Sequence, residues 1–323
     1  ISIVGFILLM LAVVYGEDVA HSSFGHIFDL DGIQLTWAIM IYGFVASVLP
    51  VWLLLTPRDY LSTFLKIGTI AALAIGIVIV NPALQMPAVT HFIDGSGPVF
   101  SGHLFPFLFI TIACGAVSGF HALISSGTTP KMLENETHVR MIGYGGMLME
   151  SFVAIMALAA AASLDPGVYF AMNSPAALIG TDAANAAQVI TNQLHFPVDA
   201  ATLLHTAKEV GENTILSRAG GAPTLAVGMA HIMSRLIPGE AMMAFWYHFA
   251  LLFEALFILT AVDAGTRVAR FMIQDLGSIF FKPFGNTDSI PANLVATFIA
   301  VALCGYAARR TRGCRLVETP NVP

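Results

Sequence analysis

The sequence predicts an all-α, polytopic membrane protein, and three observations carry that prediction. Hydrophobic residues make up 57% of the 323 positions and charged residues only 11%, against about 25% charged in ordinary soluble domains. The mean hydropathy is +0.79. Long apolar runs recur along the whole chain, several close to the roughly 20 residues that a spanning helix needs. A formal net charge of −6 with no basic run argues against a nucleic-acid partner. Cys114, Cys304 and Cys314 show no metal-type spacing and imply no disulfide framework.

Taken in order, residues 1–15 read as the end of a span, because the chain opens inside an apolar run with Ile1. We therefore expect a fragment of a longer protein. Residues 33–55, 104–126, 141–162 and 241–262 are long enough to cross outright. Residues 67–80 qualify if 64–81 is included, and 294–308 forms a further apolar run. Residues 224–236 are too short to cross and read as a re-entrant or surface helix.

Orientation follows from the lysines and arginines of the short loops. Loops 16–32 and 81–103 have none and go outside, while Arg58 with Lys66, and Lys131 with Arg140, flank turns that go inside. Residues 163–222, rich in Ala, Asn, Pro and Gly, go outside, with short helices expected at 175–192 and 200–210. If 224–236 does not cross, Arg267, Arg270 and Lys282 lie inside, as the charge rule prefers. Residues 266–281 then read as an interfacial amphipathic helix, with Val268, Phe271, Met272 and Leu276 opposite Arg267, Arg270, Gln274 and Asp275. In domain terms, 1–308 is one transmembrane fragment of about seven spans with an external re-entrant region at 163–236, and 309–323 is an unassigned tail.

The stretch "CGAVSGFHALISSGTTPK" places Gly115, Ser118, Gly119, His121, Ser125, Ser126, Gly127, Thr128 and Thr129 where a span should be finishing. Lipid offers no partners to freed backbone groups, so a broken helix survives there only beside protein or a water-filled cavity. Unwound carbonyls and half-helix ends then serve as ion- and substrate-binding groups. Close helix packing by small residues is the simpler explanation of Gly115 and Gly119, and a polar helix end explains Ser125–Thr129.

Ionisable residues within spans are costly and so are functional candidates. Glu254 sits mid-span in "HFALLFEALFIL", Glu150 lies halfway along its helix, and His121 and His248 also lie at membrane depth. Asp263 falls about 60° from His248 and about 180° from Glu254 on a helical wheel, and is equally explicable as an i+4 partner of Arg267. These five are the candidates for carrying a coupling proton. His231, in the short helix, is explained by a solvated face.

Five stretches, "FPFLFITIACGAVSGFHALISSGTTPKML", "IGYGGMLMESFVAIMAL", "DPGVYFAMNSP", "SRAGGAPTLAVGMA" and "FWYHFALLFEALFILTAVDAGTR", together resemble the carbon starvation protein A family. The resemblance covers about residues 1–300 and fades after Arg309. It implies a bacterial inner-membrane uptake system for small peptides during carbon starvation, coupled to protons, of which this chain is an internal portion lacking the N-terminal half; some members resemble pyruvate/proton importers. It also implies part of an inverted-repeat fold resembling the amino acid–polyamine–cation superfamily, with a broken helix at about 104–131. Sodium stays open as the coupling ion, since hydroxyls and carbonyls suit it too.

Other classes fare worse. HExxH, GxSxG and Walker A patterns are absent, so no enzyme and no cofactor is expected. A haem-binding subunit would use His121 and His248 as axial ligands, without any recognisable haem motif. A passive channel would never concentrate its substrate.

Overall fold

The computed structural model describes residues 2–20, 22–23, 25–28, 30–49, 53, 55–99, 103, 105, 122, 124–125, 129–218, 220–239, 242–287 and 289–318. Among them the secondary structure is entirely helical: α1 (Ser2–Ala20), α2 (Gly25–Phe28), α3 (Gly32–Val48), α4 (Leu55–Val80), α5 (Thr129–Met132), α6 (His138–Ala162), α7 (Pro166–Asn173), α8 (Ala176–Ile179), α9 (Ala183–Asn192), α10 (Ala200–Glu209), α11 (Ala222–Leu236), α12 (Met242–Phe280) and α13 (Ile290–Glu318). Among the described residues, three helices are long and apolar enough to cross a membrane: Arg58–Val80, His138–Ala162 and Met242–Phe280. The expected broken helix at 104–131 lies almost wholly outside the described residues.

Local chemistry explains several boundaries. Asp31 starts α3 through a capping box: its Oδ1 accepts from Ile33 N at 2.8 Å and Gln34 N at 2.7 Å, while Gln34 Oε1 accepts from Asp31 N at 3.1 Å. α3 ends at Val48, short of the expected 55, because Leu49 precedes Pro50 and takes an extended conformation. Asp165, Asp182 and Asp199 cap α7, α9 and α10. The single helix expected at 175–192 is two helices, separated at Gly180, whose φ of +75° lies in the left-handed region.

Residues 241–262 and 266–281 were expected as a span and a separate interfacial helix; they form one helix, α12, through Gly265. One glycine weakens a helix by only about 1 kcal/mol. Here Arg267 and Arg270 find partners inside the protein instead of at a lipid interface. α13 likewise runs beyond the expected 308, into the tail.

The chain divides into two compact units. The first comprises Ile1–Leu65, Ser118–Gly143 and Leu256–Pro323. Within it α3 packs on α13. A Cβ on Gly43 would lie 3.1 Å from Thr266 Cγ2, so Gly43 permits a close approach to α12.

The second unit comprises Lys66–Val117 and Tyr144–Ala255. Its core gathers α7, α9, α10 and α11 around Met172, Ile190, Leu203 and Met229, all nearly inaccessible. Asn173 ties α7 to α11 by donating to Thr224 Oγ1 at 2.8 Å. Along α6, Ile155 and Leu158 expose 67% and 70% of their surface, which suits a lipid-facing helix better than a wetted one.

Candidate functional site

In the first unit, a buried polar cluster is assembled by α3, the start of α4 and α12. Asp263, on α12, is completely buried. Arg58, on α4, makes an ion pair with Asp263 Oδ2 and donates to the Tyr42 hydroxyl. Tyr42, on α3, donates to the same Asp263 oxygen at 3.1 Å. Arg58 also reaches Asp59 Oδ1 at 2.8 Å and Thr260 Oγ1 at 3.4 Å. The second oxygen of Asp263, Oδ1, is buried without a hydrogen-bond partner among the described residues.

A buried carboxylate is tolerated only when paired, and removing one partner of such a pair costs about 3–5 kcal/mol. Oδ1 is therefore the atom where a proton can be taken up without first breaking a hydrogen bond. Neutralising Asp263 would weaken its hold on Arg58, whose guanidinium keeps Asp59 as a partner.

One and two turns further along α12, two more guanidinium groups serve backbone carbonyls. Arg267 donates to Ala46 O at 2.8 Å and Leu49 O at 3.3 Å, and Arg270 donates to Ser47 O at 2.6 Å. Both arginines are buried. They supply donors to the carbonyls that the C-terminus of any helix leaves open, where positive charge is also favoured by the helix dipole. Gln274 extends the row by donating to Asn293 Oδ1 at 2.9 Å.

The sequence-predicted residues fall out as follows. Asp263 lies in this cluster, with Arg58 as its ion-pair partner in place of the expected Arg267. Glu254 is half-buried and has no hydrogen-bond or ion-pair partner among the described residues. His248 is exposed, with Nδ1 2.8 Å from Ala244 O. Glu150 is half-buried on α6. Ser125 is exposed and donates to Ala122 O at 3.0 Å, and Thr129 begins α5. Gly115, Ser118, Gly119, His121, Ser126, Gly127 and Thr128 lie outside the described residues. His231 is partly buried and lines a cavity of the second unit, and burial lowers its pKa from 6.5, with Glu209 opposing and Arg235 reinforcing the shift.

Tyr42, Arg58 and Arg270 were missed as site residues by sequence reasoning. In the sequence Arg58 reads as a charge flanking a turn and Arg270 as part of a polar helix face. The usable signal was arginine within or beside an apolar span, which requires a partner.

The family profile described as carbon starvation protein CstA matches residues 1–313. The chain is 64% identical over 301 residues to the "Peptide transporter CstA" of Escherichia coli (strain K12), covering 91% of this chain and 43% of that protein. It is 60% identical over 307 residues to the protein of the same name in Campylobacter jejuni, covering 94% and 44%. It is 53% identical over 328 residues to the "Pyruvate/proton symporter BtsT" of Escherichia coli (strain K12), covering 95% and 46%. The chain thus spans less than half the length of these curated relatives. No solved structure matches it. With the family profile extending over nearly its whole length, the chain belongs to the carbon starvation protein CstA family.

Proposed function

We propose that the chain is part of a proton-coupled secondary active transporter that imports small peptides, in a multi-pass inner-membrane protein with an inverted-repeat core. The observation that carries this reading is the 64% identity, across 91% of the chain, to a protein named as a peptide transporter. The all-helical fold with three membrane-length helices is in keeping with it, and a transporter rather than an enzyme is the role we assign.

Substrate would be held at the break spanning residues 115–129, by backbone groups and by the hydroxyls of Ser118, Ser125, Ser126, Thr128 and Thr129. Coupling would run through Asp263 or Glu254. At Asp263, a proton on Oδ1 neutralises the carboxylate, loosens Arg58 and frees the α4 end of the cluster to move. At Glu254, an unpartnered carboxyl takes up and releases the proton by itself.

The 53% identity to a pyruvate/proton symporter favours a second reading, in which the substrate is pyruvate. Uptake of labelled dialanine and of labelled pyruvate, by the full-length protein in liposomes under an inward proton gradient, separates the two. Concentrative dialanine uptake abolished by a protonophore supports the first reading. Concentrative pyruvate uptake that dialanine does not compete with replaces it with the second.

A further inference from the structure

The second unit contains a cavity of about 390 Å³, within the range of about 300–1,000 Å³ usual for small-molecule sites. Its frame is held at the end of α6. Gln85 and Met86 donate their backbone N–H groups to Ala162 O at 2.8 and 3.1 Å, and Gln85 Nε2 donates to Ser163 O at 3.2 Å. Asp165, another lining residue, is held as the cap of α7, its Oδ1 accepting from Gly167 N at 2.8 Å.

The lining is divided by chemistry. Leu164, Val168 and Ile232 form an apolar wall, each no more than 5% exposed. The polar groups come from two helices. On α10, His205 and Glu209 stand one turn apart, with Nδ1 and Oε2 at 3.3 Å and side chains 72% and 39% exposed. On α11, His231 and Arg235 stand one turn apart, and the His231 ring feels the charges of both Glu209 and Arg235. Neither the His231 ring nor the Arg235 guanidinium has a hydrogen-bond or ion-pair partner among the described residues.

This combination selects among ligands. Among the described residues, no group of three or more His, Cys, Asp or Glu side chains could hold a metal ion. A small monoanion would call for a cation alone and would leave most of the volume empty. An anion and a cation beside an apolar wall match a ligand that carries both charges on an apolar body. The cavity draws on segments 81–103 and 163–222, which are also those that the sequence reading places at the outer face.

We propose that this cavity is an outward-facing capture site for a short zwitterionic peptide, with Arg235 receiving the carboxylate and Glu209 the ammonium group. The inference rests on the peptide reading above and deepens it. Its lining shares no residue with 115–129, and its role is to select the substrate before translocation.

The test uses the full-length protein in liposomes, with labelled dialanine as substrate and two blocked forms, N-acetyl-dialanine and dialanine amide, as competitors. Glu209→Gln should raise the KM for dialanine about tenfold, with the maximal rate retained and inhibition by N-acetyl-dialanine unchanged. Arg235→Gln should do the same for dialanine while leaving inhibition by the amide unchanged, and Arg235→Lys should restore most of the affinity. An unaltered KM in both variants overturns the site, as does an equal loss of affinity for free and blocked peptides. Absence of dialanine uptake by the unsubstituted protein overturns the peptide reading itself, and this site with it.

Discussion

The guanidinium of Arg267 lies 2.8 Å from the carbonyl oxygen of Ala46, near the C-terminus of α3. With Arg270 on Ser47 O, it makes α12 the holder of the end of a neighbouring helix whose continuation is blocked by Pro50.

Arg267→Ala and Arg270→Ala should each destabilise the protein by about 2 kcal/mol, since each removes charge-assisted hydrogen bonds from buried carbonyls. Thermal unfolding in detergent checks this. Arg267→Lys should recover only part of this, because the single nitrogen Nη2 that serves both carbonyls lies one bond further from the backbone than a lysine ammonium can reach. A lysine variant as stable as the original sequence would reduce Arg267 to a point charge.

Breaking the Arg58–Asp263 pair should be expensive. Asp263→Ala and Arg58→Ala are each expected to cost about 3 kcal/mol or more. The double variant should cost clearly less than the sum, as coupled groups do. Additive losses would show that the two residues act independently.

Asp263→Asn and Glu254→Gln separate the two candidate proton carriers. The variant at the true carrier should lose concentrative uptake under a proton gradient while retaining substrate exchange. Normal accumulation by the Glu254→Gln protein would leave Glu254 a structural residue.

Gly228 on α11 faces the backbone of α6: a Cβ there would lie 2.5 Å from Ala160 O and 2.8 Å from Ala160 C. A backbone neighbour cannot swing aside, so Gly228→Val should destabilise the second unit by about 2 kcal/mol or more. A lowered unfolding temperature is the expected readout.

His231 should make stability depend on pH. Its folded-state pKa lies below 6.5 through burial, with Glu209 raising it and Arg235 lowering it, and His205 adjoining Glu209 in the same cavity. Below 6.5 the unfolded chain then binds more protons than the folded one, so stability falls as pH drops from about 7 toward the folded pKa. Substituting His231→Gln should flatten the unfolding profile between about pH 7 and pH 5. An unchanged slope would show that the ring titrates freely.

Much of the fold was legible in the composition. Apolar runs longer than 20 residues have few destinations other than a membrane-length helix, so α6 was anticipated within three residues of its start. The caps Asp165, Asp182 and Asp199 are also readable in the sequence. An aspartate before Pro or Ala marks where a short helix begins.

The sequence by itself determined that the chain is helical and membrane-embedded, and which family it resembles. These properties follow from hydrophobicity and local pattern, which need no partner. Tertiary structure decided that Asp263 pairs with Arg58, distant in sequence, and not with Arg267 four residues away. It also decided that α12 continues through Gly265 and that His231 lines a cavity with Glu209 and Arg235. The reason is that a buried charge takes whichever opposite charge the folded chain brings beside it, and that proximity is a property of packing rather than of spacing.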